Sequence, residues 1–207
     1  MTRRAMSRLH RSGRDRTRDR QRGAAAVELV VVLPLLILIA MGIIEFGSAW
    51  ANKLKVETAA RGGARVGSGL GASRTADYDL LQAVKSVLTD VGLSNVQYVV
   101  VFKSTDAGGA IPSGCSGSAP TSQTGKCNVY TGTQITNLAA SQFGGTTSCA
   151  VNALDRWWCP TTRQSVQHLG PDYLGVWVKA ESGTLTDFFG SPLGMESAAV
   201  MRLEPKG

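Results

Sequence analysis

Twenty-one consecutive residues, Ala24 to Ile44, carry a single charge, Glu28, and from Leu29 onward the run is almost wholly Val, Leu, Ile and Met. As an α-helix rising about 1.5 Å per residue, this segment is roughly 31 Å long, which matches the hydrocarbon core of a bilayer. The rest of the chain has to be organised around an anchor of that length. The formal charge of +7 does not point elsewhere. Met1 to Gly23 hold nine arginines against Asp15 and Asp19, which accounts for the whole excess, while the residues from Ala24 onward carry 13 basic and 13 acidic side chains. An arginine-rich arm that abuts a membrane-length apolar run reads as a topology signal, not as a nucleic-acid contact. By the positive-inside rule the N-terminus is cytoplasmic, and everything past Phe46 lies outside the cell membrane as the rest of a single-pass protein. Ala49-Trp50-Ala51 offers a signal-peptidase site, but the apolar run exceeds the roughly 7 to 15 residues of an ordinary signal sequence.

Glu28 carries the most information in this segment. A carboxylate at the apolar end of a membrane helix costs roughly 2.5 kcal/mol or more, so it needs a partner or a task. Cleavage between Gly23 and Ala24 would create an ammonium one helical turn from Glu28, close enough to pair within or between chains.

A basic leader, a small residue, four apolar residues, a Glu and a long hydrophobic helix together resemble a type IV prepilin. That resemblance implies cutting by a membrane-embedded prepilin peptidase after Gly23. More closely, Arg22-Gly-Ala-Ala-Ala-Val-Glu-Leu, Pro34 in the apolar helix, Gly42-Ile-Ile-Glu-Phe-Gly47 and Ala59-Ala60-Arg61-Gly62-Gly63-Ala64-Arg65 resemble the TadE-like family of the tight-adherence (Tad, or Flp) pilus system. Leu29 stands where that family usually has an aromatic. Gly175-Val-Trp-Val-Lys179 and Ser197 to Pro205 resemble the strands that close such proteins. The resemblance implies a minor pilin or pseudopilin acting in assembly of an adhesive pilus. Its implied partners are the lipid bilayer, other Tad/Flp pilins, the assembly platform and the prepilin peptidase. The alternative is an unprocessed membrane-anchored envelope-binding or adhesive module, in which the leader stays attached.

Four segments are expected: a leader over 1–23, a transmembrane helix over 24–46, a stalk helix and glycine-rich neck over 47–75, and an extracytoplasmic α+β domain over 76–207. Phe46, Trp50 and Leu54 recur at helical spacing as a stripe expected to pack on the domain below, and glycines 62, 63, 67, 69 and 71 are expected to end the helix. Asp77 to Val91 predicts a second helix with Leu80, Leu81, Val84, Val87, Leu88 and Val91 on one face. Val96 to Phe102, Tyr173 to Ala180 and Glu196 to Leu203 predict three strands. In the middle one, Leu174, Val176, Val178 and Ala180 share a face opposite Trp177 and Lys179. The fold class is α+β, a pilin-like head with an antiparallel sheet.

Residues 104–171 are rich in Gly, Ser and Thr, and are expected to form a loop region without a core of its own. They hold all four cysteines: Cys115, Cys127, Cys149 and Cys159. Outside the cell these predict two disulfides. Three pairings are possible. Cys115 with Cys127 and Cys149 with Cys159 is preferred because each closes a short local loop. The spacings contain no C-x-x-C, and His168 is the one histidine beyond the leader, so no metal and no cofactor are expected. Trp157-Trp158 is either a contact loop for adhesion or subunits, or a pair in which one ring packs over a disulfide. His168 stands in no hydrolase motif, and Asp77, Asp79, Asp155, Asp172 and Asp187 are scattered without evident pairing, so no enzyme is expected.

Overall fold

The computed structural model describes residues 12–144, 149–183 and 192–204, with side chains from Gly23 onward except that of Gln167. Asp187 and residues 1–11 of the leader lie outside the described residues. The chain divides into two compact units, Met1–Gly47 and Ser48–Gly207. Helix α1 (Ser12–Leu70) supplies residues to both, with Pro34 inside it.

In the first unit every large apolar side chain from Val27 to Ile44 that is exposed is 41% or more exposed, so this stretch has no protein core of its own. It is one helix long and apolar enough to cross a membrane. Within such a helix a proline is tolerated, because the freed carbonyl can be satisfied by local adjustment or by neighbouring groups.

The second unit is α+β. Helix α1 does not stop at the glycines: Gly62, Gly63, Gly67 and Gly69 are all helical, and the helix ends beyond them at Leu70. The expected flexible neck is therefore a packing face. Val56, Ala59, Ala60, Gly63, Ala64 and Gly67 form the buried side of α1. A Cβ on Gly63 would lie 2.5 Å from Val84 Cγ2, and one on Gly67 would lie 2.5 Å from Leu80 Cδ1. Glycine there costs about 1 kcal/mol of helix propensity each, and in return lets the α1 backbone approach the next layer. Gly71, at φ +56°, closes the helix by donating its N–H to the Gly67 carbonyl (3.2 Å). The stripe expected to pack downward faces outward instead: Phe46, Trp50 and Leu54 are 69%, 58% and 48% exposed.

Helix α2 (Ala76–Leu88) buries Leu80, Leu81, Val84 and Leu88. Strands β1 (Val96–Ser104), β2 (Cys127–Thr131), β3 (Tyr173–Ser182) and β4 (Leu193–Arg202) form one antiparallel sheet in the order β2-β1-β3-β4. A short helix, α3 (Gly132–Thr136), follows β2 behind a capping box made by Thr131 and Gln134. Strand alternation gives each face its own core. Val99, Val101, Leu174, Val176, Val178 and Ala180 join the helices in the larger cluster. Val100, Phe102 and Trp177 pack with the Cys115–Cys127 disulfide in the smaller one.

Two expectations need correction. The sheet has a fourth strand, β2, inside the region expected to be loop, and that region also places Tyr130, Ile135 and Trp158 in the main core. A five-residue strand with a cysteine and an asparagine at its start has too short a pattern to stand out from its surroundings.

Candidate functional site

Two regions of the described residues combine charge with an apolar setting: the membrane-length segment, with Glu28, and a buried polar cluster in the α+β unit. Gly23 and Ala24 are both helical and exposed. A Cβ on Gly23 would meet nothing within 4 Å, so no packing requirement explains this glycine. Glycine does, however, make this turn of the helix easier to unwind, by about 1 kcal/mol relative to Ala. Glu28 lies one turn further on, exposed, in a setting where bilayer lipid would leave its charge without water. Glu45, of the Gly42-to-Gly47 motif, is 5% exposed.

In the α+β unit the cysteines pair as Cys115–Cys127 and Cys149–Cys159, the two short-loop pairings preferred from spacing. The second closed loop leads into a cluster that the sequence did not reveal. Asp77, in the first turn of α2, and Arg163 are both fully buried and form an ion pair of 2.7 Å. The Tyr130 hydroxyl and the Asn128 amide, both on β2, donate to Asp77 Oδ2 at 2.7 and 2.9 Å. Asn128 also bonds the backbone of Trp158 in both directions, donating to its carbonyl and accepting from its N–H, each at 2.9 Å. Arg163 donates to the same carbonyl (3.0 Å) and lies 4.1 Å from the centre of the Trp158 ring. One acid, one cation and one side-chain amide thus tie α2, β2 and the segment after Cys159 together.

Trp158, 4% exposed, is therefore part of the core and does not serve as a contact residue, whereas Trp157 is half-buried under the Arg156 guanidinium at 4.8 Å. Of the other aspartates, Asp172 pairs with Lys103 at 2.7 Å. His168 is exposed.

Burial pushes the Tyr130 hydroxyl well above its ordinary range, and the adjacent Asp77 charge adds to the effect. Asp155 is raised to about 6, first by burial and then by the Asp77 charge, against the lowering influence of the Gly144 N–H that bonds both its oxygens at 3.0 and 3.1 Å. The sign follows from linkage. A carboxyl whose folded value lies above its unfolded value of about 3.8 contributes most below that unfolded value, and the contribution is lost as pH rises through about 6. The stability of the natural protein relative to an Asp155→Asn variant should therefore fall by about 2 kcal/mol between pH 4 and pH 7, the shift being discounted for solvent screening. Paired urea titrations at the two pH values measure it, and a constant difference would contradict the assignment.

A single apolar anchor helix leading into a small disulfide-linked α+β unit defines a class of membrane-anchored protein. Residues 23–65, which take in the apolar helix and the α1 turns that follow it, match the family described as TadE-like protein. The match ends at Arg65. The closing-strand motifs at Gly175 to Lys179 and after Ser197 lie beyond it. No curated protein and no solved structure matches the chain. The family suggests a Tad pilus-associated membrane protein.

Proposed function

We propose that the chain is a minor pilin or pseudopilin acting in assembly of a Tad/Flp-type adhesive pilus, cut by a prepilin peptidase between Gly23 and Ala24. Its α+β unit faces the extracytoplasmic side, and its work is assembly, not chemistry. The observation that carries this proposal is the coincidence, inside the TadE-like segment, of a helix-weakening glycine, an apolar run of bilayer length and a carboxylate one turn after the bond to be cut. A peptidase must draw its substrate out of the helix, and Gly23 lowers the cost of doing so by about 1 kcal/mol relative to Ala. Once Ala24 is the amino terminus, its ammonium and the Glu28 carboxylate of the same or a neighbouring chain neutralise each other in lipid. The exposed Phe46, Trp50 and Leu54 side chains extend the apolar surface of α1 past the bilayer, where neighbouring subunits or lipid headgroups can cover it.

Replacing Glu28 by Ala tests this assignment. An unchanged number of surface filaments would favour an uncut, fixed envelope-binding anchor.

A further inference from the structure

Where β1 begins and β2 runs into α3, a groove of about 510 Å³ opens beside the loop closed by the Cys115–Cys127 disulfide. That volume lies within the roughly 300–1,000 Å³ of small-molecule sites. Of the eleven residues that line it, eight bear a hydroxyl or a carboxamide and none is charged. Tyr98, half-buried, packs against the Val100, Phe102 and Trp177 cluster and also lines the groove. The Gln97 amide N–H donates to the Glu181 carboxylate, which leaves the Gln97 side-chain oxygen as an acceptor. Asn137 donates to the Thr133 carbonyl at 3.1 Å, which likewise leaves its own oxygen. Among the described residues, the hydroxyls of Ser94, Tyr98, Ser118 and Thr133 form no side-chain hydrogen bond.

These features select the ligand by exclusion. An ion would shed water with no charged lining residue to pair with. An apolar molecule would strip the hydroxyls and amides of water and leave them unpaired. A neutral, hydroxyl-rich ligand can exchange hydrogen bonds with donors and acceptors of its own kind, and its C–H face can lie on the Tyr98 ring. We propose that this groove binds an uncharged carbohydrate chain. Such a chain can come from an amino-sugar polymer of the cell wall or from a neutral polysaccharide outside the cell. This holds whether or not the protein enters a pilus.

The test is isothermal titration of the full chain in detergent micelles with chitohexaose, standing for the amino-sugar polymer, and cellohexaose, standing for the neutral polysaccharide. Hexagalacturonate serves as the anionic control. Saturable binding of either neutral hexamer, at least tenfold tighter than hexagalacturonate, is expected, and the better of the two identifies the source. Tyr98→Ala should weaken that binding at least tenfold, while Tyr98→Phe, which keeps the ring, stays within about threefold. Because Tyr98→Ala also removes packing, Ser118→Trp provides a second arm: it fills the groove from an exposed loop position and should abolish binding with an unchanged thermal melt. Absence of binding by both neutral hexamers, equal binding of the anionic one, or full binding by the Ser118→Trp variant would overturn the proposal.

Discussion

Arg163→Met is expected to lower the stability of the α+β unit by about 3–5 kcal/mol and its melting temperature by roughly 10 °C. The size follows from what is left behind. Asp77 stays fully buried, and its carboxylate is then supported only by the Tyr130 hydroxyl and the Asn128 amide. Removing one member of a buried pair exposes the other's whole desolvation cost, whereas the intact pair contributes little net stability. The Trp158 carbonyl loses one donor and its ring loses the stacked guanidinium, so the segment after the Cys149–Cys159 disulfide loosens as well. Adding Asp77→Asn to the Arg163→Met chain should recover part of the loss, because a neutral amide is cheaper to bury than an unpaired charge. Urea titration followed by tryptophan fluorescence measures both changes. A loss below about 1 kcal/mol for the single variant would mean that the cluster is hydrated and does not act as a buried tie.

Glu28→Ala should leave membrane insertion intact, since it makes the apolar segment more apolar, yet reduce filament assembly severely. If pairing with the new amino terminus recovers the roughly 2.5 kcal/mol that the carboxylate costs in lipid, its loss weakens subunit docking by about 60-fold. Glu28→Gln should behave nearly as Ala does, because the charge and not the hydrogen bond is at stake, while Glu28→Asp should retain part of the function. Filament counts on cells complemented with each variant, set against the amount of inserted protein, give the result. Normal filaments with Glu28→Ala would remove the carboxylate from the mechanism.

The parts of the fold legible in the sequence were those in which one period runs long enough to be counted. The anchor is a continuous apolar run, α2 repeats its apolar residues on one face from Leu80 to Leu88, and β3 alternates Leu174, Val176, Val178 and Ala180 against Trp177. The glycines after Gly62 misled because glycine punctuates chains in general. Here Gly63 and Gly67 lie four apart on a helix whose next layer comes too close for a Cβ, and only the tertiary contact decides between a break and a packing face. Strand β2 was missed because its five residues borrow stability from β1 and carry buried polar groups of their own. The Asp77–Arg163 cluster left no local sign, since its members come from a helix, a strand and a loop far apart in the chain. Asp77 looked like an ordinary first-turn acid, and an arginine in a Thr-rich loop looks solvated. The disulfides were accessible because closing a short loop costs little chain entropy, which favours near neighbours when sequence alone offers three pairings.

The most direct test is the amino-terminal residue of the protein extracted from membranes, determined by intact mass or end-group sequencing. A chain that begins at Ala24 is the predicted result and would establish cleavage after Gly23, with Glu28 one turn from a new ammonium. A chain that begins at Met1 would contradict it and leave a fixed anchor. A chain that begins at Asn52, after Ala49-Trp50-Ala51, would mean that the apolar helix is discarded as a secretion signal and that the α+β unit is released from the membrane.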